Sequence, residues 1–305
     1  MAETDFDIID SQFSRCVRTS ARLEQLWSAG RWTEGPAYFP VLRSLIWSDI
    51  PNDRIMRWDE TTGTVGSLSG GRGRYVNGNT VDRQGRLVSC EHGGRRVVRI
   101  EHDGELTVLA DRYEGKRLNS PNDVVVASDG AIWFTDPTYG IDTDYEGFKS
   151  EPEIDGCYVY RIEPDTGALA IVADDFVRPN GLAFSPDESR LYIVDSGASH
   201  QPDGPRHVRV FDVGAGGALS GGGIFAECTN GAFDGLRLDD AGRLWLSAGD
   251  GVHCYTPEAE LIGKVLVPER VSNLCFGGAK RNHLFMTATT SVYAMLLPVN
   301  GVKTF

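Results

Sequence analysis

The chain has neither a basic surface nor a membrane-spanning stretch. Its 305 residues carry 30 Lys and Arg against 43 Asp and Glu, a formal net charge of −13. Such a chain repels phosphate backbones and anionic headgroups, so neither nucleic acid nor membrane is an expected partner. No apolar run reaches the roughly 18–20 residues of a spanning helix. The opening Met1-Ala2-Glu3-Thr4-Asp5-Phe6-Asp7 lacks a basic and an apolar signal region, so no secretory signal and a cytoplasmic location are expected. The six cysteines, at 16, 90, 157, 228, 254 and 275, include no Cys-x-x-Cys pair. In a long chain of this kind they are expected as free, buried thiols rather than disulfides or zinc ligands. Missing too are Gly-x-Ser-x-Gly and His-Glu-x-x-His, the serine nucleophile elbow and the zinc helix. A serine triad at other spacings stays open but has no support in the sequence. Helical periodicity is scarce outside about residues 10–28.

What the chain does have is a repeat. An Asn, Asp or Glu leads a short hydrophobic strand, a polar turn follows, and a second strand carries an aromatic or large aliphatic residue. The clearest copy is Asn122-Asp123-Val124-Val125-Val126, turn Ser128-Asp129-Gly130, then Ile132-Trp133-Phe134-Thr135-Asp136. Others start at Asn180 and Asp234, and weaker ones at Glu34, Asn77 and Asn273. Further strand-like runs lie between copies, giving about four strands per repeat of roughly 40–60 residues. This predicts an all-β, six-bladed β-propeller over residues 30–305, preceded by a short helical N-terminal extension over 1–29. Two longer gaps, 138–156 and 196–206, are expected as loops at one mouth of the channel and as candidate covers for it.

In a propeller the innermost strand of each blade lines the central channel. The repeat-leading residues Glu34, Asn77, Asn122, Asn180, Asp234 and Asn273 should therefore converge on one axis. All six bear side-chain oxygens, which suit a hard cation such as Ca²⁺ or Mg²⁺ better than Zn²⁺. The carboxylates Glu34 and Asp234 would balance a 2+ charge; buried without a cation they would be costly or protonated. Taken singly, Pro121-Asn122-Asp123 and Pro179-Asn180-Gly181 read equally well as turn chemistry. The sixfold recurrence favours the ligand reading.

Several motifs carry a resemblance to a known family. They are Glu34-Gly35-Pro36, Ser120-Pro121-Asn122-Asp123-Val124, Trp133-Phe134-Thr135-Asp136-Pro137, Arg178-Pro179-Asn180-Gly181-Leu182, Phe233-Asp234-Gly235-Leu236 and Asn273-Leu274-Cys275-Phe276-Gly277-Gly278. Together they resemble the gluconolactonase family, which includes senescence marker protein and luciferin-regenerating enzyme, over about residues 30–297. Asn77-Gly78-Asn79 with Cys90-Glu91-His92-Gly93 is similar to the bacterial branch. The resemblance implies hydrolysis of a sugar lactone such as gluconolactone, with Ca²⁺ or another divalent ion (Mg²⁺, Mn²⁺ or Zn²⁺) as cofactor. It implies Glu34, Asn180 and Asp234 as metal ligands, with Asn122 completing the shell or touching substrate and water.

Lactone hydrolysis needs a polarised carbonyl and an activated water. Asp234 is the first candidate for a combined ligand and base and Asp123 the second, with Asn122 beside them. Asn77, His92 and His200 are candidate substrate contacts; a hydrogen-bonded structural role is the competing reading for His92. Asp49, Glu91, Asp136 and Asp195 recur at the ends of second strands and are expected to cap turns or pair blades. Trp47, Trp133, Trp245 and Tyr192 are expected to pack between blades. A small-molecule lactone is the expected partner, the protein itself being a monomer or homodimer. Two alternatives stand: another calcium-dependent hydrolase, acting on a different lactone or a phosphotriester, and a non-catalytic binding propeller with a structural cation.

Overall fold

Short apolar runs broken by Gly, Pro and Asp turns make strands that cannot bury both faces of one sheet, so each sheet needs neighbours. The computed structural model describes residues 5–303, and in it these runs form six antiparallel blades. Blade 1 comprises Thr33–Phe39, Ser44–Asp49, Arg54–Asp59 and Val65–Gly70, and blade 2 Val76–Val81, Leu87–Glu91, Arg96–Ile100 and Leu106–Ala110. Blade 3 comprises Val124–Val126, Ile132–Asp136, Cys157–Ile162 and Leu169–Phe176, and blade 4 Pro179–Phe184, Arg190–Asp195, His207–Val213 and Leu219–Glu227. Blade 5 is built on Leu236–Leu238, Leu244–Ala248, Gly251–Tyr255 and Leu261–Leu266, and blade 6 on Val271–Gly277, His283–Ala288 and Val292–Leu296. The innermost strand of each blade touches that of the next, and the sixth touches the first, so the circle is closed.

Among the described residues, the expected helical extension does not form. Phe6–Ile8 is instead a fifth, outer strand of blade 5, with Phe6 opposite Val265. Ser11–Arg15 is a lone 3-10 turn capped by Asp10, and Glu24–Trp27 is the outer strand of blade 6, with Glu24 opposite Ala294. The outer edges of blades 5 and 6 present N–H and C=O groups that an extended segment can pair and a helix cannot. Between those strands Phe13 is fully buried, its ring 6.0 Å from that of Trp245 and filling the space left open by Gly263. Residues 1–4 and 304–305, the outer ends of the two expected spans, lie outside the described residues.

The second strand of each blade supplies the packing between blades. Trp47, Trp133, Trp245 and Tyr192 are all buried there, in separate clusters that together run round the ring. Each such ring removes well over 100 Å² from water, worth several kcal/mol at about 25 cal/mol per Å². All six cysteines are free; Cys157 is half-buried and the other five are buried. Among the described residues, no helix is long and apolar enough to cross a membrane.

Candidate active site

Each repeat-leading residue sits where the inner strand departs from regular pairing. The register slips between Glu34 and Ala37, between Val76 and Asn79, between Pro179 and Leu182, and between Val271 and Asn273. Asn122 and Asp234 precede the first paired residues of their strands, Val124 and Leu236. Bulges of this kind turn a side chain out of the sheet, here toward the channel.

The recurring acids at the second-strand ends hold these turns in place. Asp49 accepts from Arg31 N at 2.9 Å, Asp136 from Asn119 N and Ser120 N at 2.8 Å each, and Asp195 from Val177 N and Arg178 N at 2.9 Å each. The donors lie two or three residues before Glu34, Asn122 and Asn180 in the same blades. Glu91 differs, pairing with Arg96 at 2.6 Å. Hydroxyls then tie blade to blade: Ser48 donates to Asn77 O at 2.7 Å, Ser247 to Ser272 O at 2.8 Å, and Ser272 to Thr33 O at 2.6 Å.

Glycine after the ring residue allows the blades to approach. Gly181 N donates to Asp234 O at 3.0 Å, and a Cβ on Gly181 would lie 2.4 Å from that oxygen. Gly78 bears the same relation to Asn122: N donates to Asn122 O at 2.8 Å, and a Cβ would lie 2.3 Å from it. No side chain fits either gap.

Above the ring opens a cavity of about 250 Å³. Glu34, Asn77, Asn122, Asn180 and Asp234 form its floor. Its walls and cover come largely from the two long inserts: Tyr139, Asp142, Thr143, Tyr145 and Glu146 from one, Ser196, Ser199 and His200 from the other, joined by Trp32 and Arg270. Side chains from the blades hold the first insert in place. Arg178 binds Asp142 at 2.7 Å and stacks over Tyr139, Arg31 lies over Tyr145, His92 bonds to Glu146 O at 3.2 Å, and Phe148 meets Tyr75 edge-on.

The expected residues divide as follows. Asn273 is not part of the cavity lining; it lies behind it, donating to Glu34 Oε2 at 3.0 Å and standing 3.4 Å from Asp123 Oδ2. Asp123 also lies off the cavity. Its carboxylate accepts from Val124 N and stands 3.6 Å from Arg237. Arg237 lines a second cavity, of about 140 Å³, at the other ends of the inner strands. His92 is fully buried and not part of the lining. Its Nε2 accepts from Asn77 Nδ2 at 3.1 Å and its Nδ1 donates to Glu146 O. Burial pushes its pKa down to about 4, with the Glu146 carbonyl and Asp142 opposing, so the ring is neutral at ordinary pH. His200 stands at the exposed rim, its ring against Tyr139 and its Nδ1 3.0 Å from Ser199 Oγ.

Sequence reasoning missed Trp32, Tyr139, Asp142, Tyr145, Glu146 and Arg270. The insert residues have no repeat partner to flag them. Trp32 and Arg270 stand two and three residues before Glu34 and Asn273, a shared position that offered a signal.

The electrostatics of the floor bear on a cation. Glu34 and Asp234 are buried, with relative exposures of 4% and 7%. Burial, together with the fields of Asp234 and Asp123, holds the Glu34 carboxyl well above the usual range. Burial pushes Asp234 up to about 6; Asp123 adds to the rise, while Arg270 and a hydrogen bond from Asn180 oppose it. Among the described residues, Asn77 Oδ1 is buried without a hydrogen-bond partner. Among the described residues no three His, Cys, Asp or Glu side chains gather as a metal cluster. The floor instead offers two carboxylates with amide oxygens, and that all-oxygen, mutually repelling set fits a hard divalent cation.

Comparison with known proteins adds a lineage. The SMP-30/Gluconolactonase/LRE-like region matches residues 32–290. A gluconolactonase of Zymomonas mobilis is 30% identical over 295 residues, covering 90% of this chain and 80% of the relative. Pentonolactonase XacC of Haloferax volcanii is 30% identical over 285 residues, covering 90% and 84%. Among solved structures, a gluconolactonase of Xanthomonas campestris superposes with a TM-score of 0.89 at 39% identity, covering 96% of this chain and 94% of that one. A luciferin-regenerating enzyme, at 18% identity and a TM-score of 0.74 over 93% and 99%, shares the fold.

Proposed function

The chain belongs to the SMP-30/gluconolactonase/LRE-like family, and from that premise we propose that it hydrolyses a small sugar lactone, gluconolactone being the first candidate, in the cavity above the ring. The observation that carries this reading is the pair of buried, mutually repelling carboxylates, Glu34 and Asp234, set among amides on the floor of the cavity. At about 250 Å³ the cavity is smaller than the roughly 300–1,000 Å³ of sites for drug-sized ligands, which suits a single sugar ring. Its lining of amides, hydroxyls and two aromatic phenols matches a polyhydroxylated substrate.

Glu34, Asn122, Asn180 and Asp234 would hold a divalent cation, calcium first, with magnesium, manganese or zinc as the other options. Such an ion supplies polarisation of the lactone carbonyl and a lowered pKa for water. The chain's own residues do the rest. Asn77, fixed by His92, presents its unpaired Oδ1 to a substrate hydroxyl, and Asn122 faces the same space. His200 contributes at the rim. Tyr139 and Tyr145 shield the reacting face from bulk water. Asp123 serves as a positioning residue, reaching Glu34 through Asn273 rather than meeting substrate.

The test is pH-indicator turnover of a lactone panel and a phosphotriester, before and after EDTA and after calcium is restored. A no-enzyme control is needed because δ-lactones open spontaneously. Turnover of a sugar lactone that EDTA abolishes and calcium restores supports the reading. Turnover no faster than the control sinks it, and turnover of the phosphotriester alone would reassign the substrate.

A further inference from the structure

Four carboxylates line the cavity: Glu34, Asp142, Glu146 and Asp234. Three of them are engaged. Glu34 accepts from Gly35 N at 2.6 Å and from Asn273 Nδ2 at 3.0 Å, Asp234 accepts from Asn180, and Asp142 is paired with Arg178 at 2.7 Å. Glu146 differs: its carboxylate has no hydrogen bond or ion pair with any described residue, while its own backbone carbonyl is fixed by His92 Nδ1. It thus has a fixed main chain and a carboxylate with nothing to bind but what enters the cavity.

We propose that Glu146 is the general base and acid of the lactone hydrolysis, a role that rests on the lactonase reading above. Its carboxylate takes a proton from the attacking water as the water oxygen bonds to the lactone carbonyl carbon. The tetrahedral adduct then breaks its bond to the ring oxygen, and Glu146 returns the proton to that oxygen. The products are the open-chain hydroxyl and a carboxylic acid that ionises to solvent. Assigning the proton to Glu146 leaves Asp234 to act as a ligand only, which removes the conflict of one carboxylate holding a cation and a proton in turn.

The surroundings suit the role. Burial, with Asp234 and Asp142 nearby, pushes the Glu146 carboxyl up to about 7, where a base works best near neutral pH. The other charged groups around the cavity are Glu34 and Asp234 on the floor, Asp142 with its partner Arg178, Arg270 on the wall and His200 at the rim. On its own loop Asp144 accepts from Lys149 N. His92 behind the loop is neutral, and no described cation pairs with Glu146.

The test compares wild type, Glu146→Gln and Glu146→Ala in calcium-replete buffer across pH 5–9. Glu146→Gln is expected to lower kcat by about 100-fold or more, the range general acid–base catalysis supplies, with KM within a few-fold. It should also remove the acid limb of the kcat/KM profile, and added formate should partly restore Glu146→Ala. Calcium binding by calorimetry should stay within a few-fold of wild type. The thermal midpoint of Glu146→Gln should not fall below it, since the variant loses a carboxylate that the fold holds above its ordinary pKa. A Glu146→Gln enzyme with wild-type kcat and an unchanged pH profile overturns the proposal while leaving the lactonase reading intact. A wild-type protein without turnover above the control overturns both.

Discussion

Replacing a charged ligand by its neutral isostere should stabilise the cation-free protein. In Asp234→Asn the shape is kept and one buried negative charge is lost. The Asp234 carboxyl stands at about 6 against an ordinary 3.8, so the folded state binds this proton more tightly than the unfolded chain does. Stability therefore falls as pH rises from about 4 through about 6, then levels off. The cost at pH 7.5 is about 3 kcal/mol, from about 1.4 kcal/mol per pH unit. Glu34, raised by burial and by the charges of Asp234 and Asp123, adds to the loss in the same direction, and Asp234→Asn relieves part of that as well.

The assay is thermal unfolding in EDTA at pH 4, 6 and 7.5, followed by calcium titration at pH 7.5. At roughly 2 °C per kcal/mol for a domain of this size, Asp234→Asn should melt on the order of 5 °C above wild type at pH 7.5 in EDTA. The two should be nearly equal at pH 4. Calcium should then raise the wild-type midpoint and leave the variant almost unmoved. Comparing the two proteins removes the general effect of net charge, which acts on both. The reasoning fails if the variant melts at or below wild type in EDTA at pH 7.5, or if calcium stabilises both equally.

Three more predictions follow from the geometry. Gly181→Ala puts a methyl carbon where Asp234 O lies 2.4 Å away; separating blades 4 and 5 should lower the thermal midpoint and weaken calcium binding at least tenfold by calorimetry. His92→Ala leaves the Asn77 amide and the Glu146 carbonyl without their partner, at a cost of about 1–3 kcal/mol in urea unfolding, with a rise in KM as Asn77 loosens. Because burial holds His92 near 4, the wild type should show no activity transition at the usual histidine pKa that His92→Gln removes. Trp245→Ala, which opens a cavity between blades 5 and 6 beside Phe13 and Phe276, should cost about 3–5 kcal/mol, with turnover of the remaining folded protein unchanged.

The blades were legible because the repeat marks the same structural job six times. The leading polar residue, the turn and the second-strand aromatic recur, and the structure places Glu34, Asn77, Asn122, Asn180 and Asp234 in one cavity floor with Asn273 just behind. The N-terminal segment misled because Phe13, Cys16, Val17 and Ala21 fall at intervals that mimic one face of a helix. They are buried in an irregular connection between two edge strands, and nothing local distinguishes the two cases. Asp123 looked like a second base because it adjoins Asn122. Successive residues of an extended chain face opposite ways, which sends its carboxylate toward Arg237 instead. Glu146 was invisible because its role depends on which side chains lack partners in three dimensions, a property no spacing encodes.

Floor and cover are held by different kinds of constraint. On the floor each position depends on its neighbour: Gly181 packs on Asp234, Gly235 on Asn273, Gly35 on Asn77 and Gly78 on Asn122. A shift at one blade is therefore passed to the next, and no floor residue can change size alone. The cover is held by side-chain contacts rather than by backbone packed on backbone. Side chains of separate elements anchor it: Arg178 beside blade 4, Arg31 before blade 1, and His92 with Tyr75 beside blade 2, while Tyr139 ties it to the second insert at Ser199 and His200. A site built this way can keep a fixed charge arrangement beneath while the walls that meet the substrate change. His92 is where the two systems meet, since it bonds Asn77 below and Glu146 above. A buried, neutral imidazole is suited to that task, because both of its nitrogens are committed and its charge does not change with ordinary pH.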